Sequence, residues 1–166
     1  MDARNLLETV LNEIKTQGGP ELVLDQDGMA MLEHESGTEV LMTADLAAGV
    51  VRLNTFLGNI EEADRNDLLG DLLAINFLPQ LYGPFFFALS PDQKTLLLVC
   101  RIEIEDIDER RLAESFVAIA FAHDRLKTML ASAMRGQQRV SEALEDLLGS
   151  ASTQLTDYVP SPASFA

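Results

Sequence analysis

The side chains from which chemistry could be built are two histidines, one cysteine and a run of acids. His34 and His123 lie far apart in sequence. His34 falls between Glu33 and Glu35, whose side chains point to the opposite face of a strand, so it reads as an ordinary strand residue. His123 sits centrally in the apolar stripe of a long helix, where a hydrogen-bonded core histidine fits better than a ligand. Cys100 alternates with Leu96, Leu98 and Ile102 on one strand face, the pattern of an inert core thiol. The acids Glu103, Glu105, Asp106, Asp108 and Glu109 span a strand end and a helix start, where negative charge complements the helix dipole, and they lack EF-hand spacing. No phosphate-cradling glycine loop, GxSxG elbow, HExxH or CxxC pattern occurs. The expectation is a protein that binds and does not catalyse, with no catalytic residue, metal or cofactor.

Asn76 is the more informative polar residue. It interrupts an apolar helical arc, where an amide must find partners or cost on the order of 1 to 3 kcal/mol. Fixing its helix against backbone is the expected role.

The elements that would position these residues read as an α+β domain in the order α-β-β-β(-β)-α-β-β-α, an antiparallel sheet flanked by helices. Residues 3 to 16 carry Leu6, Leu7, Val10, Leu11 and Ile14 at helical spacing, with Asp2 available as N-cap and Gly18-Gly19-Pro20 as a stop. Short runs follow at residues 21 to 25, 29 to 35, 38 to 44 and 50 to 57, the first three separated by Asp27-Gly28 and Ser36-Gly37 at hairpin spacing. A second helix runs from about Ala63 to Leu78 and ends at Pro79. At 100° per residue, its Leu68, Leu69, Leu72, Leu73, Ile75, Asn76 and Phe77 sweep roughly 200°, wider than packing on one core needs. Such a helix buries two sides, either inside the monomer or between its own sheet and a second subunit. Two β-rich runs, 84 to 89 and 95 to 104, are joined by the turn Ser90-Pro91-Asp92-Gln93-Lys94. A third helix extends from the N-cap Asp108 to about Met134, with the stripe Leu112, Phe116, Ile119, His123, Leu126, Leu130 and Met134. Residues 1–135 form the expected domain. Residues 136–166 form a tail, weakly helical through Val140, Leu144, Leu147 and Leu148 and then rich in Ser, Thr and Pro, expected to be mobile.

The chain has 27 acidic and 12 basic residues in 166, a formal net charge of −15, spread along its length. That field repels phosphates and anionic lipid, so neither nucleic acid nor membrane is an expected partner. A lone cysteine fits a reducing compartment, and no leader pattern or run of ~20 apolar residues is present; a cytoplasmic location is expected.

The segment from Leu68 to Leu78, then Gly83-Pro84-Phe85-Phe86-Phe87-Ala88-Leu89-Ser90-Pro91-Asp92 and Thr95-Leu96-Leu97-Leu98, resembles the central signature of the class I type III secretion chaperones, or Tir chaperone family. There, two leucine pairs and an asparagine on the middle helix precede a strand, a turn and a leucine-rich strand. The resemblance implies a bacterial cytoplasmic homodimer that needs no ATP. It would keep the N-terminal, non-globular segment of a secreted effector competent for export. The same scaffold could instead sequester a transcriptional activator or other regulator. Position by position, the resemblance implies Leu68, Leu69, Leu72, Leu73, Asn76, Phe85 and Phe87 at the dimer interface. For effector binding it implies Leu6, Val10, Leu11, Ile14, Val40 and Met42, for which burial in the core is the competing role. The tail departs from the family pattern.

Overall fold

The computed structural model describes residues 3–16, 22–60, 69–70, 72–73, 76 and 84–133. Helix α1 spans Ala3–Thr16, and the strands are β1 Met29–Glu33, β2 Glu39–Asp45, β3 Val50–Asn59, β4 Phe85–Leu89 and β5 Thr95–Glu103. A single 3-10 turn, Ile104–Asp106, leads into helix α2, Glu109–Ala133. Between β3 and β4 the described residues Leu69, Gly70, Leu72, Leu73 and Asn76 are helical. The expected N-cap Asp2 and the tail lie outside the described residues.

The five strands form one antiparallel sheet in the order β1-β2-β3-β5-β4. Hairpin spacing accounts for β1-β2-β3 as a meander, and the Ser90 to Lys94 turn closes β4 on β5. Gly28 is needed where it stands. Its φ is +76°, and a Cβ there would lie 2.9 Å from the Ala44 carbonyl oxygen, which would force apart the first rung of the β1-β2 ladder.

Residues 22–25 form no strand, contrary to the pattern of their sequence. The alternation is real, since Leu22 and Leu24 pack on the core while Val23 is 69% exposed. The Asp25 carboxylate, however, accepts hydrogen bonds from the Asp27 and Met29 backbone N–H groups, and the Gly28 N–H reaches the Asp25 carbonyl. This knot of local bonds turns the chain where a ladder would have to run.

Both long helices cover one face of the sheet. Leu7, Val10, Leu11 and Ile14 of α1 and Leu112, Phe116, Ile119, Leu126 and Leu130 of α2 share a core with Leu32, Val40, Met42, Val51, Leu53, Leu98, Cys100 and Ile102. Asp108 caps α2, its carboxylate accepting from the Arg111 N–H at 2.7 Å. Cys100 is fully buried and its thiol is pushed up to about 11 by desolvation, which keeps it protonated and unreactive. The acids near the strand end serve structure: Asp106 pairs with Arg111, and Glu103 with Arg101.

Candidate functional site

The sheet has two edges, and each is handled differently. At the β4 edge, Asn76 lies beside Phe87. Its Nδ2 donates to the Phe87 carbonyl at 2.8 Å, and its Oδ1 accepts from the Phe87 N–H at 2.7 Å. One side-chain amide thus supplies the donor and acceptor that a sixth strand would supply. Leu72, 2% exposed, anchors the same helical segment in the core, while Leu73 beside it is 67% exposed. Leu69 and Phe85 are half-buried, and Phe87 is buried. The wide apolar arc therefore divides, with Leu72 facing the subunit's own core and Leu73 facing solvent. Leu68 lies outside the described residues.

At the other edge, backbone pairing sets which groups of β1 are spent. The His34 N–H bonds the Thr38 carbonyl and the Ala44 N–H bonds the Gly28 carbonyl. In this register the even-numbered residues of β1 pair with β2, and Met29, Met31 and Glu33 turn their amides outward. Asp25 takes both groups of Met29, accepting from its N–H on the carboxylate and donating to its carbonyl. Met31 and Glu33 have no backbone partner among the described residues. Met31 is also 61% exposed.

Near the start of β1 a cleft of about 280 Å³ opens between α1 and the segment leading into the strand. Leu7 and Leu11 of α1, with Leu22, Val23, Leu24 and Leu46, make its apolar lining, and Arg4, Glu8 and Lys15 contribute charge. Of the residues expected to contact an effector, Leu11 lines this cleft and Leu6 is half-buried beside the core. Val10, Ile14, Val40 and Met42 are buried in the core and present no open surface in this conformation.

The fold brings the two histidines to one polar network, which their separation in sequence concealed. The His123 ring lies with Nε2 2.9 Å from the Phe56 carbonyl and Nδ1 3.0 Å from the Asp124 carboxylate. Thr38 donates to Asp124 at 2.9 Å and also lies 3.3 Å from His123 Nδ1. Ser36 joins Thr38 to Nδ1 of His34. For Asp124, desolvation acts upward, but hydrogen bonds with His123, Thr38 and Ser36 outweigh it, and the carboxyl lies below its ordinary range. The arrangement cannot relay a proton as a nucleophilic triad does. The hydroxyl and the carboxylate both meet Nδ1, while Nε2 is occupied by a backbone carbonyl. It is a clamp joining the β1-β2 turn, the end of β3 and α2.

Among the described residues there is no group of three or more His, Cys, Asp or Glu placed to hold a metal ion, and no helix long and apolar enough to cross a membrane.

Among the described residues, the structure is thus a five-stranded antiparallel sheet with helices on one face and an apolar cleft beside its β1 edge. The sequence profile of the Tir chaperone protein (CesT) family matches residues 5–120, and the chain belongs to that family. No curated protein matches the sequence. Solved structures share the fold. A chain of the Yersinia pestis type III secretion chaperone SycH in complex with a stable fragment of YscM2 is 20% identical with a TM-score of 0.56, covering 71% of this chain and 97% of that one. A chain of the heterodimeric ExoU-SpcU complex from the type III secretion system of Pseudomonas aeruginosa is 20% identical with a TM-score of 0.56, covering 70% and 93%. A chain of the HopA1-SchA chaperone-effector complex is 15% identical with a TM-score of 0.60, covering 74% and 94%.

Proposed function

We propose that this protein is a non-enzymatic bacterial cytoplasmic chaperone that, as a homodimer, holds the N-terminal, non-globular segment of a secreted effector for type III secretion. Family membership over residues 5–120 carries this reading. The geometry supports it by offering what an extended chain needs: backbone at Met31 and Glu33 with no partner among the described residues, and an apolar cleft close by. Strand addition supplies main-chain hydrogen bonds that do not depend on client sequence, and the cleft takes apolar anchors. Neither step consumes ATP or a cofactor.

The effector surface is accordingly placed on the β1 edge and on the cleft of Leu11, Leu22, Val23 and Leu24, with Leu6 at its margin. Val10, Ile14, Val40 and Met42 support that surface from beneath. For the dimer, Leu73 is the proposed centre, with Leu69 and Phe85 beside it. Leu72, Asn76 and Phe87 shape that face from within the subunit. The family resemblance adds Leu68 to the proposed interface.

Co-expression with N-terminal segments of candidate secreted proteins tests the reading. A bound segment should resist proteolysis in the presence of the chaperone, and failure to protect any such segment would end the proposal. Leu73→Asp should give monomers by light scattering at micromolar concentration. A wild-type monomer under the same conditions would remove the dimer.

A further inference from the structure

Among the described side chains of helix α2, the exposed large apolar one is Phe121, 51% exposed. Its ring meets His34 edge-on, with centroids 5.4 Å apart and planes at 66°. The His34 ring also meets Phe116 at 5.9 Å. That histidine is held in place, since the Ser36 N–H donates to Nδ1 at 3.2 Å and the Ser36 hydroxyl lies 3.0 Å from the same nitrogen. His34 directly follows β1 and shares the inward parity of Ala30 and Leu32, the side covered by helices. The ring pair therefore stands beside the open edge of β1, on its helical side.

An extended chain paired to Met31 and Glu33 would lie about 4.8 Å outside β1 and send alternate side chains toward that helical side. We infer that Phe121, backed by the buried His34 ring, forms a selectivity platform for one large apolar or aromatic side chain of the client strand. This deepens the proposed function and rests on its strand-addition reading. Edge-to-face and offset contact with a fixed ring favours another aromatic or a large aliphatic group, whereas an acidic side chain would meet the electron-rich ring face. Backbone pairing would give the affinity common to all clients, and the platform would set the register in which each one binds.

A phage-displayed library of nine-residue segments, with serine alternating with randomised positions, tests this against the full chain. The wild type should enrich Phe, Tyr, Trp or Leu at one randomised position. Phe121→Ala should lose that enrichment and bind the best selected peptide about five- to tenfold more weakly, because one aromatic contact is removed. Phe121→Leu should retain binding but lose the preference for aromatics over leucine. Met31→Pro, which removes one of the two edge donors at Met31 and Glu33, should bind the peptides much more weakly. If Phe121→Ala selects the same residue at the same position with equal affinity, the platform is wrong while strand addition stands. If the wild type selects nothing, or Met31→Pro binds as well as the wild type, strand addition fails and the platform falls with it.

Discussion

The β1 and β4 edges face the same problem, because an outer strand leaves amides and carbonyls directed at solvent or at another chain. At β4, Asn76 closes Phe87 with two hydrogen bonds from one side chain. At β1, Asp25 closes only Met29, and Met31 and Glu33 stay unpaired among the described residues. The difference is one of position: Asn76 occupies the middle of the β4 edge, at Phe87, whereas Asp25 occupies only the first residue of β1. In the proposed arrangement, a second subunit would pack against the β4 side through side chains such as Leu73, and an extended client would add to β1.

The comparison breaks most severely at Leu72. Leu72→Asp would place a carboxylate in the core beneath the Asn76 segment, and a loss of about 3 to 5 kcal/mol is expected by urea unfolding. A loss below ~1 kcal/mol would show that this segment does not depend on its anchor. Next is Asn76→Leu, which keeps the branched shape but leaves the Phe87 N–H and carbonyl without the Asn76 partner. About 1 to 3 kcal/mol should be lost, and the uncovered β4 edge should promote concentration-dependent association. Unchanged stability and no association would mean that the amide does not close the edge.

Met31→Pro should cost no more than about 1 kcal/mol, because the removed N–H has no partner among the described residues and edge strands tolerate proline. A larger loss in thermal unfolding would show that the β1 edge is already paired. The smallest effect concerns the clamp behind that edge. The Asp124 carboxyl is held below its ordinary range, so its contribution is present above the unfolded value near pH 3.9 and is lost as pH falls through the lower folded value. Thr38→Val removes one hydrogen bond to it and should move acid unfolding to slightly higher pH, with a stability change under about 1 kcal/mol, since solvent screens this half-exposed group. An unmoved acid transition would remove Asp124 from the acid response.

Much of the scaffold was legible in sequence. The stripe from Leu112 to Leu130 is buried along α2, Asp108 caps that helix, and Asn76 fixes its segment to backbone, each following from a local period or a local polar demand. Residues 22–25 misled because alternation shows which side chains face inward, not whether a neighbouring strand is available. The candidate site was less legible. Val40 and Met42 could have faced a client or the core, and only the placement of α1 and α2 over their face buries them.

Sequence by itself determined the order of strands and helices apart from residues 22–25, the acidic field and the family signature from Leu68 to Leu98, because periodicity, capping and composition act over a few residues. Tertiary structure alone decided that β1 and β4 are the sheet edges, that Leu73 faces outward while Leu72 faces inward, and that His34 and His123 share one network. Those outcomes depend on which distant segments meet. Long-range packing of strands and helices sets such meetings, and no local spacing encodes them.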